Sequence, residues 1–573
     1  MASMTSERTG TPAAGRRSRI VASIVLAIAL GAGALPMLGF LLPATVDLAT
    51  ESIEPLQTFR FFLSHGTVYD PWGPVPHFLY ALPYGALLAL WRASGQWVSS
   101  SFDYPYGFSA PHEQLGTLLL SARIVGLLVT ALSAWFLMRS LARATGSNFW
   151  ACAAMCLFVA GSPEVLVALS STKPDCLMMA LSMVALKAYV DQIHRGATAK
   201  TMALLAVSCV ASLSCKELTG PLAVCLCAAA VVMRHPQDEL KLPARLGHLA
   251  GWGLVSYALL NVVYAPQAWA ERMQIVLFGK LKDTEIWASS NQSLGSYLWD
   301  SVNSAVAVLG APAGLALLWA ALLGGPRGLL KRWACWWPLS SYIVCVVVIA
   351  GYMPTYFLLP MAPLAAVAMA LGLGLSGAQA NRPLVRGLIS VLVVLQLGSA
   401  WWYGQAHRSW HPQSLTEAYL AQRDSCLSGV ARINLWGAAP GSSRLSYLGY
   451  PADERPLATL LAEPGGPPEV LLVDQDHWTW VGDIPKLPAR AAMVLEETGL
   501  DYSAGVHLED YGYHLVQRLS GQELCSWLLL LQPMGLLLDK NPLLVFERPL
   551  MAASSSRALS QEGNPAAGLQ ERH

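Results

Sequence analysis

Ile20-Val-Ala-Ser-Ile-Val-Leu-Ala-Ile-Ala-Leu-Gly-Ala-Gly-Ala-Leu-Pro-Met-Leu-Gly-Phe-Leu-Leu-Pro43, followed closely by Asp47-Leu-Ala-Thr-Glu51-Ser-Ile-Glu54, is the stretch that decides the fold. The first run carries no charge and is longer than the about 20 apolar residues an α-helix needs to cross a bilayer's hydrocarbon core. Arg16, Arg17 and Arg19 precede it and carboxylates follow it, so it reads as a span with its basic end in the cytoplasm. A basic start before an apolar core also describes a secretory signal. The run exceeds a signal core and further spans follow, so an uncleaved first helix is expected.

The same ruler, moved along the chain, places spans near 20–43, 116–138, 149–168, 175–193, 201–215, 217–233, 247–264, 301–323, 334–352, 356–377 and 387–404. Loops bearing Arg16/Arg17/Arg19, Arg139/Arg143, Arg195/Lys200, Arg234/Lys241/Arg245, Arg327/Lys331/Arg332 and Arg382/Arg386 fall on alternate sides of these spans, as one cytoplasmic face requires. The opposite face then receives residues 44–115, the 169–174 turn, the Lys216-Glu217 corner, the 265–300 loop and everything beyond about 405. Within 44–115, segments 51–64 and 76–92 read as helices lying in the interface. Pro83 and Arg92 leave 76–92 too short an apolar length to cross, and a span there would invert every later loop.

Composition agrees. Of 573 residues, 54% are hydrophobic and only 13% charged, against about a quarter charged in soluble domains. A net charge of +1 points away from nucleic acid or a strongly acidic partner, so the basic residues report topology. Most of the 11 cysteines, Cys152, Cys156, Cys176, Cys209, Cys215, Cys225, Cys227 and Cys345, lie in or beside apolar runs, where a thiol packs as a small hydrophobe. No Cys/His spacing resembles a zinc or haem site.

From about 405 the chain interleaves Pro, Gly and polar residues with β-like runs at Arg432–Trp436, Glu469–Val473 and Leu543–Phe546. It reads as a small extracytoplasmic α/β domain over 405–552. Trp527–Leu538, interrupted by Gln532 and Pro533, reads as core or interfacial rather than a span. In an outside domain Cys426 and Cys525 either form a disulfide or stay free. Residues 1–15 and the tail 553–573 are expected to be disordered, so the chain divides into a cytoplasmic N-terminus (1–19), a membrane domain (20–404), the outside domain and a tail.

Candidate chemistry gathers on the outer face. Asp47 and Glu51, four apart, share one face of a helix leaving the membrane and either could accept a proton, though acids also simply mark span ends. In Ser171-Thr172-Lys173-Pro174-Asp175, the hydroxyl residues can cap a helix, Pro174 suits its first turn, and Asp175 meets the positive end of the dipole. Asp175 is thus either a functional carboxylate at a span end or a favourable helix start. Lys173, Lys216, Arg60, Arg123 and His77 supply cations or donors for an anionic headgroup, with a Lys216–Glu217 ion pair as the plainer reading of that corner. Arg123 lies just inside a span, where a charge without a role is expensive.

The order of these pieces resembles the GT-C superfamily of integral-membrane glycosyltransferases, in particular the bacterial branch with protein O-mannosyltransferases and the lipid A aminoarabinose transferase (glycosyltransferase family 39-like). The matching stretches are Glu51 to Gly66, Tyr69-Asp-Pro-Trp-Gly-Pro-Val-Pro-His-Phe78, Ser121-Ala-Arg-Ile-Val-Gly126, Lys173-Pro-Asp175, Cys215-Lys-Glu217 and Tyr356-Phe-Leu-Leu-Pro-Met-Ala-Pro363, within about 20–400. Two departures stand out. The family's Asp-Glu pair is absent, and counting back from Gly66 puts Glu51 at the catalytic Asp position with Asp47 one turn earlier. The family's Lys in the Pro-rich segment is missing, with Pro74 to His77 in its place.

The resemblance implies transfer of a sugar from a polyprenyl-phosphate donor to a lipid, glycan or protein acceptor on the extracytoplasmic face, with inversion. It casts Asp47 or Glu51 as base, Asp175 as a second catalytic acid, and Lys216, Arg123, Arg60, Lys173, His77 and Tyr356 as donor-phosphate or substrate contacts. Family members differ in metal dependence, so the resemblance leaves a divalent metal open without indicating one, with Asp47, Glu51 and Asp175 as the plausible oxygen ligands. A transporter or lipid flippase, which should show repeats and broken helices in both halves, and a non-catalytic cell-envelope assembly protein are the competing classes.

Overall fold

The structure, a computed structural model, describes residues 12–38, 73–99, 107–216, 219–263, 308–331, 333–349, 358–374, 382–410, 412–422, 429–433, 469–474, 513–519 and 543–548, with Thr58 and a few positions between 266 and 305. The chain falls into two units. The first comprises Met1–Ser414, Pro488–Arg490 and Gly521–Lys540, and the second Leu415–Leu487, Ala491–Ser520 and Asn541–His573.

The first unit is helical: α1 (Pro12–Leu38), α2 (Pro74–Ala93), α3 (Pro111–Thr145), α4 (Asn148–Met155), a π-turn (Cys156–Ala160), α5 (Pro163–Leu169), α6 (Asp175–Arg195), α7 (Ala199–Leu213), α8 (Gly220–Val232), α9 (Leu242–Tyr257) with a π-turn (Ala258–Val263), α10 (Ala311–Lys331), α11 (Trp333–Ile349), α12 (Met361–Gly374) and α13 (Pro383–Trp410). The helix α1 begins at Pro12, inside the stretch expected to be disordered. Five helices, Arg16–Leu38, Glu113–Thr145, Asp175–Arg195, Leu242–Val263 and Pro383–Gln405, are long and apolar enough to cross a membrane, six if the bent α4–α5 pair counts as one span. This is a multi-pass integral membrane protein.

Burial sorts the helices by depth. Residues Met361 to Leu373 of α12 are buried all round, and most of α6 is too. In contrast α1, α3, α9 and α13 turn Ile24, Ile28, Leu128, Leu132, Leu254 and Val394 outward. Lipid tails are as apolar as leucine, so such faces carry no penalty in a bilayer. Helix α2 buries the stripe Tyr80, Tyr84, Leu88 and Trp91 and exposes Leu82 and Leu90.

Two expectations change. The predicted single span 149–168 is broken: α4 and α5 meet at a bend of 64°. Pro163 has no amide hydrogen to continue the ladder, and the Ser162 hydroxyl accepts from Val165 N and donates to Val308 O at 2.7 Å, restarting the helix in a new direction. The freed backbone is satisfied by buried Gln396 of α13, whose amide donates to Gly161 O (2.7 Å) and Leu309 O (3.0 Å) and accepts from Ala313 N (3.3 Å). Gly310, at φ 79°, passes so close to this amide that a Cβ would lie 2.4 Å from it. Secondly, α7 and α8, standing in the places of the predicted spans 201–215 and 217–233, hold 15 and 13 residues. At 1.5 Å per residue each is about 20 Å long, short of the roughly 30 Å of hydrocarbon. The 14-residue helix Met361–Gly374 is likewise shorter than the crossing length.

In the second unit, α14 (Pro412–Gln422) accompanies a sheet of β1 (Val430–Ile433), β2 (Val470–Asp474), β3 (His514–Leu519) and β4 (Leu543–Glu547), in the order β1-β2-β4-β3. The β1–β2 pair is parallel and the other two are antiparallel. Val430, Val470, Leu472 and Val545 point at Leu415, Tyr419 and Leu420 of the helix to form a small core. Tyr419 donates its hydroxyl to Glu547 Oε1 at 2.6 Å. Cys426, Cys525 and Trp527–Leu538 lie outside the described residues.

Candidate active site at the head of α6

The turn between α5 and α6 is Ser170-Ser171-Thr172-Lys173-Pro174. Its serines do not cap the following helix, as the sequence had suggested. Ser170 and Ser171 donate back to Val167 O (2.7 Å) and Ala168 O (3.2 Å), closing α5. The carbonyl of Pro174 accepts the first α6 bond, from Met178 N at 2.8 Å, which leaves Asp175 in the first turn at the positive end of the dipole.

Lys216 meets it there. Its Nζ donates to Asp175 Oδ1 at 2.7 Å, with Asp175 only 1% and Lys216 only 7% exposed. This partner is 41 residues distant in sequence; the adjacent Glu217, the plainer partner expected for Lys216, lies outside the described residues. The corner carrying Lys216 is held firmly. Ser212 Oγ donates to Met178 O (3.0 Å) and shares a bond with Ser182 Oγ (2.9 Å), tying α7 to α6, while Asn261 Nδ2 donates to Ser214 Oγ (2.8 Å).

A second cation stands close by. Burial pushes the Lys173 ammonium down to about 8, against Asp175, which favours its charge, and together with Lys216, which opposes it. Among the described residues, Asp175 Oδ2 and Thr172 Oγ1 are buried polar atoms with no hydrogen-bond partner. The head of α6 thus holds two lysines, one carboxylate, and two polar atoms still able to bind a ligand.

Helix α2 closes the same corner. Gly73 N donates to Cys215 O (3.4 Å) and Val75 N to Ser214 O (3.3 Å), supplying its first turn with backbone partners. A Cβ on Gly73 would come within 1.8 Å of Ser214 O, so only glycine permits this approach. One and a half turns on, the Tyr80 hydroxyl lies 3.9 Å from Cys176 Sγ, next to Asp175. His77, also expected to contact substrate, is fully buried with Nδ1 3.2 Å from Thr58 Oγ1, tying α2 to the first loop.

Arg123 occupies a different place, 2% exposed in α3, where Nη1 donates to Leu38 O at 2.8 Å. Leu38 ends α1, and its carbonyl is one of those a helix terminus leaves open. The guanidinium so fixes the end of α1. The buried Tyr84 hydroxyl, which has no hydrogen-bond partner among the described residues, interacts electrostatically with it.

Of the residues expected to form a site, Asp175, Lys216 and Lys173 are brought together, His77 lies on the helix docked beside them, and Arg123 sits at the exit of α1. Asp47, Glu51, Arg60 and Tyr356 lie outside the described residues. Among the described residues no three His, Cys, Asp or Glu side chains converge as metal ligands. Thr172, Tyr80, Tyr84 and Gly73 were not anticipated. Of these only Gly73, between Trp72 and Pro74, carried a sequence signal, a glycine in a proline-rich approach to a helix.

No protein-family model and no curated protein matches the chain. Solved structures similar to the chain match it at low sequence identity. They include ArnT from Cupriavidus metallidurans bound to undecaprenyl phosphate (13% identity, 82% of this chain and 95% of that one, TM-score 0.42). The arabinofuranosyltransferase AftD from Mycobacteria gives 16% identity over 93% of this chain and 40% of its own, with a TM-score of 0.40. The Archaeoglobus fulgidus oligosaccharyltransferase in complex with zinc and sulfate gives 11% identity, 81% and 69% coverage, and 0.39. With each of these TM-scores below 0.5, the functional reading rests on the residues above.

Proposed function

We infer that the protein is a membrane glycosyltransferase that moves a sugar from a polyprenyl-phosphate donor to an acceptor hydroxyl at the extracytoplasmic face. The observation that carries this is the buried Asp175–Lys216 pair, beside Lys173 and under the N-terminus of α2. A buried carboxylate with one oxygen held and the other open, flanked by two amines at the end of membrane helices, suits an anionic headgroup presented by a lipid. The sequence-order resemblance to GT-C enzymes supports the same reading.

In this mechanism the acceptor oxygen attacks the anomeric carbon from the face opposite the phosphate. As the new C–O bond forms, the bond to the phosphate oxygen breaks, its electron pair stays with polyprenyl phosphate, and the acceptor proton passes to Asp47 or Glu51. Lys216 and Lys173 hold the departing phosphate, with Arg60 and Tyr356 as further contacts. Asp175 keeps Lys216 in place through Oδ1 and orients the acceptor through Oδ2. Arg123 positions the first loop by anchoring the end of α1, and His77 positions α2 through Thr58.

The topology that goes with this reading has a cytoplasmic N-terminus and an outside C-terminal domain. A lipid, glycan or protein acceptor is compatible with it. The broken α4–α5 span is a feature that a transporter would share. Its freed backbone is satisfied by Ser162 and Gln396, which makes it part of the packed fold.

The test is a comparison of Asp47→Asn, Glu51→Gln and Asp175→Asn at equal folded yield. Asp175→Asn and one of the two first-loop changes should each reduce transfer by about 10²–10⁴-fold, the usual cost of losing a positioned acid or base. Near-normal transfer in both first-loop variants would remove the general base from the account.

A further inference from the structure

Helix α9 packs along α7, and Leu254, Val255, Leu259 and Val263 on its other sides are exposed. Its buried stripe is Arg245, Leu249 and Ser256, positions that an α-helix brings to one face. The next buried residue is Asn261, in the π-turn Ala258–Val263 and only 5% exposed. From Ser256 to Asn261 an α-helix would turn through about 500°, leaving Asn261 about 140° off the stripe. The π-turn removes that offset, because its wider i→i+5 bonding takes in one more residue per turn. Helix α9 thus gives up its α-helical register, and the side chain which that break delivers to α7 is an amide.

The amide is held at both ends. Asn261 Nδ2 donates to Ser214 Oγ at 2.8 Å and to Tyr257 O at 3.2 Å. Ser214 has already given its own hydroxyl hydrogen to Val210 O at 2.8 Å, so its oxygen is the acceptor. Tyr257 is fixed in turn, its hydroxyl accepting from Trp269 Nε1 at 3.0 Å. Ser214 is the C-cap of α7 and lies just before Cys215 and Lys216. A bond that served only to join two helices could stand anywhere along the stripe, at Leu249 or Ser256 as well as here. This one stands where α7 ends and the chain leads into the lysine paired with Asp175.

We propose that Asn261 is a positioning residue: through Ser214 it sets where the Lys216 ammonium stands against Asp175 and the departing phosphate. The phosphate part of this rests on the glycosyltransferase reading; the placement of the ammonium does not. Hydrogen bonds between membrane helices contribute little to stability, so loss of the Asn261 bond is felt at Lys216 more than in unfolding. A contact between an ammonium and a phosphate depends on placement, and a small displacement weakens it.

The test compares the full-length wild type with Asn261→Leu, Ser214→Ala and, on the same stripe, Ser256→Ala, all in lipid nanodiscs. The first readout needs no substrate: the dipolar contact between the Lys216 ammonium nitrogen and the Asp175 carboxylate carbon, measured by solid-state NMR. It should be strong in wild type and in Ser256→Ala, and weakened in Asn261→Leu and Ser214→Ala. The second is the dissociation constant for undecaprenyl phosphate. It should rise about tenfold in Asn261→Leu and in Ser214→Ala, the worth of one hydrogen bond to a charged group, with unfolding midpoints close to that of wild type. Adding Asn261→Leu to the double variant Lys216→Met with Asp175→Asn should raise it no further, because the residue through which Asn261 acts is gone. An unchanged ammonium–carboxylate contact in Asn261→Leu and Ser214→Ala, or the same tenfold loss in the background lacking Lys216, would overturn the proposal. A wild type that binds no undecaprenyl phosphate would overturn the glycosyltransferase reading, and the NMR contact would then decide the placement of Lys216 by itself.

Discussion

Replacing Lys216 by methionine leaves a carboxylate at 1% exposure without its principal counter-ion, and the size of the effect follows from the geometry. At 2.7 Å the gross attraction is about 6 kcal/mol for an effective dielectric of about 20. Desolvating the two ions costs several kcal/mol each, so the intact pair contributes little net stability. Breaking it is asymmetric: one buried charge remains, at a cost of about 3–5 kcal/mol. Lys216→Met and Asp175→Asn should therefore each destabilise the protein, while the double change, which removes both charges, should be more stable than the sum of the singles by about 2 kcal/mol or more. The assay is denaturant-induced unfolding in mixed micelles, followed by tryptophan fluorescence, with sugar transfer measured on the same samples. The double variant should fold and fail to transfer. Additive single changes within about 0.5 kcal/mol would show that the pair is not coupled, and a double variant with wild-type turnover would show that it is not part of the site.

The remaining predictions concern the same framework. Gly73→Ala forces a Cβ onto a backbone carbonyl, Ser214 O, and should cost about 1–3 kcal/mol or more, seen as reduced folded yield and, in the folded fraction, weaker donor binding. Gln396→Leu strips the bonds to Gly161 O and Leu309 O and should lower unfolding stability by about 1–3 kcal/mol for each carbonyl left buried and unpaired. With its pKa lowered to about 8, Lys173 loses its proton in the folded protein before the unfolded chain does, so stability rises with pH between about 8 and 10. Over the same interval donor affinity should fall as the ammonium beside Asp175 and Lys216 is neutralised. Lys173→Met should show a flat affinity profile from pH 7.5 to 9.5, each pH in this range being about the titration window. A single cysteine near Glu463 should react with a membrane-impermeant maleimide in intact cells, and one near Lys200 only after lysis.

How much of this was legible in sequence depends on the range over which each feature is encoded. Membrane helices announce themselves locally, since twenty apolar residues in a row have no other solvent, and α1, α3, α6, α9 and α13 fall within or across predicted spans. The head of α6 was also visible, because Pro174-Asp175 is a local helix-start signal. Its partner was not: nothing in 41 residues of sequence separation says that Lys216 will meet Asp175. The break at Gly161-Ser162-Pro163 had local signs, but an unbroken apolar count concealed them, and the Gln396 side chain that makes the break affordable comes from 235 residues further on. Gly73 shows the same limit, since its need for a missing side chain comes entirely from Ser214 O.

The most direct test of the central claim is to incubate the purified wild-type protein, in lipid nanodiscs, with a panel of undecaprenyl-phosphate-linked sugars and to measure release of undecaprenyl phosphate against sugar transferred, with Asp175→Asn alongside. The account predicts that one donor is consumed, with lipid phosphate and transferred sugar appearing in equal amounts, and that Asp175→Asn consumes it at least about a hundredfold more slowly. Consumption of no lipid-linked sugar by the folded wild type, or equal rates for wild type and Asp175→Asn, would contradict it.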